Sequence, residues 1–283
     1  MRKHGLVVAT LAGLALFGFA GNSLLCRLAL GANRIDAVAF TLVRILSGAA
    51  TLAVIVGVSA RRRPMGGDWI SATALLGYAL LFSLAYRLIP AGAGALFLFG
   101  AVQVTMIAAA IAKGEPFNRV RMAGLTLAAV GLFILLLPRF GTPSAGASAA
   151  MFGAGIAWGI YSLRGRQESD PLDATAGNFL RAAAPILVIA VLCVNTVHWD
   201  TAGLLYASIS GAVTSGLGYA AWYRVLGSIS RTSAATVQLG VPVLTSIAAV
   251  PLLGESVTPD LAVSTVLTLG GIAMVVIPSR KKG

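Results

Sequence analysis

The sequence contains few charged residues, because Asp, Glu, Lys and Arg make up only 11% of its 283 positions. A soluble globular domain carries about 25% charged residues, so this chain has too few to cover a water-facing surface. Hydrophobic residues reach 58%, and the mean hydropathy is +0.89. These proportions exclude a soluble enzyme and leave no room for a large domain outside a membrane.

The chain is also poor in residues that bind metals or form disulfides, with two cysteines and two histidines. Cys26 and Cys193 lie within apolar runs, where their number and spacing fit neither a disulfide framework nor a zinc site. Phosphate-binding GxxxxGK[ST] loops, HExxH motifs and credible catalytic triads are absent from the sequence. We therefore expect no enzymatic activity, no metal and no cofactor, and we interpret both cysteines as packing residues.

Apolar runs recur ten times, and each is long enough to cross about 30 Å of hydrocarbon as a helix. The breaks between them contain Pro, Gly, Arg or Asp, which are typical of helix ends and connections. Continuous apolar runs lack the alternation of barrel strands, so the predicted fold is an all-α polytopic membrane protein with ten transmembrane helices. The predicted segments are 5–27, 36–58, 68–86, 90–112, 120–138, 146–163, 174–194, 203–223, 232–253 and 259–278.

An internal repeat divides the chain into two halves. Asp36–Arg44 reads DAVAFTLVR and Asp173–Arg181 reads DATAGNFLR, while Gly114–Glu115 is matched by Gly254–Glu255. Each half contains five segments, and because five is odd the second half must enter the membrane from the opposite side. We therefore predict two inverted five-helix repeats. The predicted repeats are residues 1–142 and 143–283.

The net charge of +12 is explained by topology. Basic residues accumulate on the cytoplasmic side of membrane proteins. If the amino terminus is cytoplasmic, fifteen Lys and Arg residues near the connections face the cytoplasm and four face the other side. We predict a multi-pass membrane protein with both termini in the cytoplasm and no nucleic-acid partner.

Two arginines lie inside predicted membrane segments. Arg44 and Arg181 each follow an aspartate by eight residues, at equivalent places in the repeat. An arginine at this depth is costly and is therefore a candidate for a functional role. A structural role is the alternative, because the long side chain can reach an interface or the carbonyl groups of a neighbouring helix. The sequence leaves both interpretations open.

The repeated motifs also resemble those of a known protein family. A twice-repeated chain of ten segments, with Phe17–Gly18 and Trp158–Gly159 in the first segment of each half and a Gly-Glu pair after the fourth, resembles the EamA-type members of the drug/metabolite transporter superfamily. Within that superfamily it is most similar to the bacterial aromatic amino-acid exporters. The resemblance implies a basket in which segments 1, 3, 4, 6, 8 and 9 surround a central cavity.

Aromatic and amide residues are concentrated in those six segments, which hold eighteen of them against four in the other segments. A desolvated amino acid needs flat apolar walls and replacement hydrogen bonds, which such side chains supply. Polar residues can alternatively join helices, and Tyr206, Trp222 and Tyr223 are expected in an interfacial belt. The candidate substrate-binding residues are Asn22, Tyr78, Gln103, Trp158, Tyr161, Ser162, Tyr219 and Gln238.

A glycine and a proline mark a candidate gate in segment 9. Pro242 removes a backbone hydrogen bond and Gly240 lies two residues before it, so the helix is expected to bend in mid-membrane. The bend is a candidate hinge or a static kink. No segment centre contains Asp, Glu, Lys or His, which argues against a proton-coupled mechanism.

The predicted function is secondary transport by alternating access, with export of aromatic and other neutral amino acids across the inner membrane. The alternatives are export of drugs, purines or other small metabolites, and a channel-like or nontransporting membrane protein. The expected partners are a small-molecule substrate and membrane lipid.

Overall fold

The computed structural model describes residues 2–58, 66–88, 91–115, 118–136, 144–253 and 259–276. Within these residues there are ten helical spans and no strand, and the ten spans match the ten predicted segments. The spans are α1 (Arg2–Leu30), α2 (Ala37–Val58), α3 (Trp69–Tyr86), α4 (Ala91–Ala112), α5 (Arg119–Leu136), α6 (Ala145–Gly165), α7 (Pro171–Leu192), α8 (Thr201–Ile209, Ser210–Leu217 and Gly218–Leu226), α9 (Arg231–Gln238 and Gly240–Leu253) and α10 (Pro259–Val276).

Several sequence features lie outside the described residues: Arg61–Arg63, Pro138, Arg139, Gly254–Glu255 and the basic carboxyl terminus. The start of α4 is described, although Pro90 immediately before it is not.

Short polar side chains start many of the helices. Asp68 accepts hydrogen bonds from the backbone N–H groups of Ile70 (2.8 Å) and Ser71 (3.0 Å) at the start of α3. Asp200 caps α8 in the same way through Gly203 N. The first N–H groups of a helix have no partner within it, so each carboxylate satisfies donors that would otherwise be left unpaired. The predicted breaks at aspartate and glycine are therefore true helix boundaries.

The outside of the bundle is apolar. Four described stretches are long and apolar enough to cross a membrane, Gly5–Leu30, Ala37–Gly57, Trp69–Tyr86 and Pro171–Leu192, and two shorter apolar helices accompany them. Large apolar side chains on α1, α7 and α10 face outward, with Leu6 71%, Leu192 79% and Val266 72% exposed. Such a surface is suited to lipid and not to water.

The helices pack in a pattern that repeats when five is added to each number. α3 and α4 pack on α6, and α8 and α9 pack on α1. α2 packs on α7, α5 packs on α10, and α4 meets the first part of α9. The interior of the bundle is consequently formed where α1, α3, α4, α6, α8 and α9 meet.

Two of these inner helices depart from regular α-helix. α9 is interrupted at Leu239, between Gln238 and Gly240, next to the residues at which a bend was expected. Pro242 has no N–H to donate to the carbonyl of Gln238, four residues earlier, so the helix cannot continue regularly there. α8 contains a π-helical stretch at Ser210–Leu217, which the sequence did not predict. Such wider turns are frequent at functional sites.

Candidate functional site

A cluster of aromatic rings fills the centre of the bundle. Phe19 of α1 meets the rings of Trp158, Tyr219 and Trp222 with centroid distances of 5.2, 5.7 and 5.7 Å. Tyr78 of α3 lies 4.9 Å from Trp158. The edge-to-face and tilted geometries are the favourable ones for aromatic pairs. Three of the predicted site residues, Tyr78, Trp158 and Tyr219, therefore come together from three different helices.

A small cavity adjoins the cluster. Its volume of about 20 Å³ is enough for one water molecule and too small for an amino acid. Binding of a substrate at this position would require the surrounding helices to separate. The cavity is lined by Phe19, Ser23, Tyr78, Phe82, Leu98, Phe99, Trp158 and Val241.

The two predicted glutamines connect helices beside the cluster. The Trp158 indole Nε1–H donates to Gln238 Oε1 at 2.5 Å, and Gln238 Nε2 donates to the Ala234 carbonyl at 3.2 Å. Gln103 Nε2 donates to the Ala235 carbonyl at 2.7 Å, which joins α4 to α9. The Oε1 atom of Gln103 is buried without a hydrogen-bond partner among the described residues. The amide oxygen of Gln103 can therefore accept a further hydrogen bond.

The structure places Asn22, Tyr161 and Ser162 in contacts between helices, away from the cavity wall. Asn22 Oδ1 accepts a hydrogen bond from Ser210 Oγ at 2.6 Å. Ser162 Oγ accepts from the Trp222 indole at 3.2 Å. Tyr161 packs against the Tyr223 ring at 4.6 Å, and its backbone carbonyl accepts from the Tyr223 hydroxyl.

Tyr206, Trp222 and Tyr223 were expected in an interfacial belt, and this expectation is wrong for two of them. Trp222 and Tyr223 are fully buried, because they lie on the face of α8 that packs against α1, α6 and α7. Tyr206 is half-buried and packs against the core. Distance from a helix end was a poor guide here, since α1, α6 and α7 cover this part of α8.

Arg44 of α2 is part of the same interior. Its Nε donates to Ser215 Oγ at 2.8 Å, and its Nη2 donates to the hydroxyls of Tyr78 (3.4 Å) and Tyr219. The guanidinium lies 5.2 Å from the Tyr78 ring centroid and 5.9 Å from that of Phe82. Sequence reasoning left Arg44 outside the candidate site. Its depth within an apolar segment was the signal that pointed to it.

One end of the bundle is closed by pairing between the α1–α2 and α7–α8 connections. Asp36 N donates to the His198 carbonyl at 3.0 Å, and His198 N donates to Asp36 Oδ2 at 2.9 Å. Asp200 N donates to the Arg34 carbonyl, and the two side chains form an ion pair at 3.1 Å. This end, which we call the Asp36 end, is held together by both halves of the chain.

The other end is closed by Glu115, which follows α4. Its carboxylate accepts from Arg231 N (2.9 Å), Arg231 Nη1 (3.1 Å), Thr232 N (3.2 Å) and Thr232 Oγ1 (3.1 Å) at the start of α9. Burial raises the pKa of Glu115, but these hydrogen bonds outweigh burial and hold it below its ordinary value. We call this the Glu115 end. Gly114, with φ of +69°, provides the turn that directs Glu115 across to α9.

The expectation that this protein binds no metal remains a prediction. Among the described residues, no group of three or more His, Cys, Asp or Glu could hold a metal ion. Cys26 is buried, whereas Cys193 is only half-buried at the end of α7, so the packing interpretation suits Cys26 better.

Comparison with known proteins identifies a family model and relatives that match this chain. Residues 146–277 match the model of the EamA-like transporter family. An uncharacterised Pseudomonas aeruginosa protein, PA1977, is 47% identical over 268 residues, which cover 94% of this chain and 93% of the relative. A Salmonella typhimurium protein named "Probable amino-acid metabolite efflux pump" is 25% identical over 227 residues, covering 72% of this chain and 76% of that protein.

The fold has been observed before. A solved crystal structure superposes with a TM-score of 0.81 at 19% identity, covering 97% of this chain and 98% of the other. At this identity the likeness shows the fold alone. Together with the apolar helices, the family match shows an integral membrane protein. The chain therefore belongs to one family with the Pseudomonas protein, and its residues 146–277 form a domain of the EamA-like transporter family within the drug/metabolite transporter superfamily.

Proposed function

We propose that this protein is a secondary transporter that exports aromatic and other neutral amino acids by alternating access. The observation that carries the proposal is the aromatic cluster around the small cavity. Phe19, Tyr78, Trp158 and Tyr219 come from α1, α3, α6 and α8, so both halves of the chain contribute to one wall. An amphipathic metabolite needs such flat apolar walls together with a few polar groups.

The closed ends support a mechanism of alternating access. The Asp36 end and the Glu115 end are both joined by hydrogen bonds, and the cavity between them holds only about 20 Å³. A carrier must pass through a state in which neither end is open, and a substrate-free closed state has this form. Opening either end would break one set of these contacts. The breaks in α8 and α9 provide places where the backbone can change direction, and we propose Gly240 and Pro242 as a hinge.

We further propose that residues 1–142 and 143–283 are inverted repeats in the bacterial inner membrane, with both termini in the cytoplasm. The exchange of helix n for helix n+5 in the packing pattern supports the repeat. The orientation follows from the distribution of basic residues. Single cysteines at positions 62 and 282, in a variant without Cys26 and Cys193, should not react with an impermeant thiol reagent in whole cells. Labelling of either from outside would contradict the orientation.

The transport proposal is tested with purified protein in liposomes. Labelled phenylalanine should exchange against unlabelled phenylalanine with saturable kinetics, and a panel of unlabelled amino acids should compete according to their side chains. Drugs and purines in the same panel test the main alternative, another metabolite as cargo. Flux that never saturates would indicate a channel, and no flux with any compound would indicate a nontransporting protein.

The same liposomes test energy coupling. The buried charged residues of the described part of the chain are Asp36, which is held at one end of the bundle, and Arg44, whose guanidinium keeps its proton at any relevant pH. We therefore expect a substrate gradient alone to drive uptake, with no accumulation when an inward proton gradient is imposed. Uphill accumulation that a protonophore abolishes would contradict this expectation.

A further inference from the structure

Arg44 is an interior cation. Its side chain is 1% exposed, and it projects from α2 toward α3 and α8 in the middle of the bundle. Gly211 lets α8 approach this part of α2 closely, because a Cβ at that position would lie 2.1 Å from the Arg44 carbonyl oxygen. The π-helical stretch of α8 then carries Ser215 to the guanidinium, and Tyr219 follows one turn later.

The hydrogen-bond partners of Arg44 are all neutral hydroxyl groups. No carboxylate of the described residues pairs with it, and its Nη1 atom is buried without any acceptor. The ion pairs Arg34–Asp200, Arg164–Asp68 and Arg231–Glu115 lie at the ends of the bundle. A buried charge without a counter-ion is costly, and hydroxyl dipoles and aromatic faces compensate it only in part. An anion would complete this site.

The surroundings of Arg44 are rich in hydrogen-bond donors. Tyr78, Tyr219 and Ser215 each accept from the guanidinium, and each hydroxyl keeps one proton that it can donate. Two tyrosine hydroxyls, one serine hydroxyl and a free guanidinium N–H can together bind both oxygens of a carboxylate. A primary ammonium group would meet the opposite situation, because none of the residues that line the cavity is acidic.

Arg44 is also adjacent to the cavity. Tyr78 and Phe82 line the cavity and are the two rings beside which the guanidinium lies. The hydrogen bond from Nη2 to the Tyr78 hydroxyl, at 3.4 Å, is the longest that Arg44 makes. A shift of Tyr78 when the helices separate would therefore expose Nη1 and Nη2 to the cavity at little cost in hydrogen bonding.

We propose that Arg44 binds the carboxylate of the transported molecule, with Tyr78, Tyr219 and Ser215 as additional donors and the aromatic cluster in contact with its apolar body. The cargo class is then small organic carboxylates with an apolar side group, including amino acids, and excludes compounds whose only charge is positive. This inference rests on the proposed transport function, and it names the group by which the cargo is recognised.

The first test uses wild-type protein purified in detergent and four probes of similar size. Phenylalanine carries a carboxylate and an amine, 3-phenylpropionate carries only the carboxylate, and phenethylamine and phenylalaninamide carry a cationic amine and no carboxylate. Calorimetric titration should detect binding of both carboxylates and at least about tenfold weaker binding of both amines. Amines that bind as tightly as carboxylates would overturn the proposal, and so would the failure of both carboxylates to bind at millimolar concentration.

The second test assigns that preference to Arg44. Arg44→Gln should weaken the binding of both carboxylates roughly 10- to 100-fold, because a charge-assisted hydrogen bond is lost. Arg44→Lys should recover part of the affinity, since the charge remains but the forked geometry does not. Arg181→Gln, the matched control in the other half, should bind as the wild type does. Binding of both carboxylates to Arg44→Gln with the affinity of the wild type would overturn the proposal.

Folding of the variants is checked by monodispersity on a sizing column and by the melting temperature. If Arg44→Gln does not fold, Tyr219→Phe serves in its place, because it leaves the charge and removes one donor; it should weaken 3-phenylpropionate binding several-fold. Unchanged binding by a folded Tyr219→Phe would count against the proposed donor set. The wild-type comparison of carboxylates and amines decides the cargo class without any variant.

The two proposals fail in different ways. If amines move through liposomes with saturable kinetics while carboxylates neither bind nor move, transport stands and the role of Arg44 falls. If both carboxylates bind in an Arg44-dependent manner but no compound crosses the bilayer, the anion site stands and the transport function falls.

Discussion

Arg44 and Arg181 are at matching positions of the repeated sequences, yet their environments differ. Arg44 is buried and donates to hydroxyl groups of α3 and α8. Arg181 is half-buried, and its Nη1 donates to the Gly66 carbonyl at 2.8 Å in the connection before α3. One arginine is held in the interior without an acceptor for Nη1, and the other is held by the backbone near an end of the bundle.

A difference one turn earlier explains this asymmetry. Where the first repeat has Phe40, the second has Gly177. The Gly66 carbonyl occupies the space beside Gly177, since a Cβ there would lie only 1.9 Å from its oxygen. Phe40, at the equivalent position of α2, is fully buried and carries a large ring there. The connection therefore reaches Arg181, whereas Arg44 has to find its partners on neighbouring helices.

The largest effect is expected from Gly177→Ala. The added methyl group must displace the Gly66 backbone and the Arg181 side chain, which should cost about 1 to 3 kcal/mol of unfolding free energy. The melting temperature in detergent measures the loss. Gly13→Ala in α1 is the matched control, because nothing lies within 4 Å of its added Cβ. Equal stability of the two variants would show that the Gly66 approach does not explain the asymmetry.

The next effect concerns the partners of each arginine. Arg44→Gln and Tyr219→Phe remove the two ends of one hydrogen bond, so their effects on the unfolding free energy should be nonadditive by about 1 kcal/mol. Arg181→Gln and Tyr219→Phe share no partner and should be additive. The double-mutant cycles are measured by melting in detergent. Coupling between Tyr219 and Arg181 that equals the coupling to Arg44 would contradict the structural distinction.

A third prediction concerns interior polar groups other than Arg44. Gln103→Ala, Trp158→Ala and Tyr78→Phe should each reduce transport several-fold, because a lost hydrogen bond costs about 0.5 to 1.5 kcal/mol. Their substitution removes the bonds to Ala235, Gln238 and Arg44, respectively. Phe133→Leu on the outer face of α5 is the control and should transport normally. The comparison is made at equal expression and melting temperature; normal transport by Gln103→Ala would contradict the inner-face assignment of α4.

The smallest effect is expected at the Glu115 end, and it should depend on pH. The folded-state pKa of Glu115 is below its ordinary value of 4.5, so its contribution is present above that value and is lost as the pH falls through the folded pKa. We expect about 1 kcal/mol, since the carboxylate, whose side chain is 13% exposed, lies at an end of the bundle and is only partly removed from solvent. The melting temperature of the wild type should therefore decline below about pH 5 more than that of Glu115→Gln. Parallel pH profiles would show that Glu115 does not stabilise the closed end.

Some features of the fold followed from local sequence alone. Apolar runs bounded by aspartate, glycine and proline gave ten helices, because each run must satisfy its own backbone in lipid. Pro242 indicated an irregularity in α9, because a missing backbone N–H affects only the helix that contains the proline. The six inner segments came instead from the family resemblance, and the aromatic residues concentrated in them include Tyr78, Trp158 and Tyr219, which lie together.

Other features depended on which helices become neighbours, and no local pattern carries that information. Asn22 and Ser162 were candidate ligands, but Ser210 and Trp222 from α8 already donate hydrogen bonds to their side-chain oxygens. The π-helical turn that brings Ser215 to α2 has no signature in the spacing of apolar residues.

Arg44 and Arg181 show which properties the sequence determined and which depended on the tertiary structure. The sequence by itself determined that both occur at the same depth of a repeated membrane helix. Only the tertiary structure decided that one reaches a backbone carbonyl at an end of the bundle while the other remains among hydroxyl groups in the interior. The physical reason is that a buried charge is governed by the atoms within a few ångströms, and in a bundle those atoms come from segments far away in the chain.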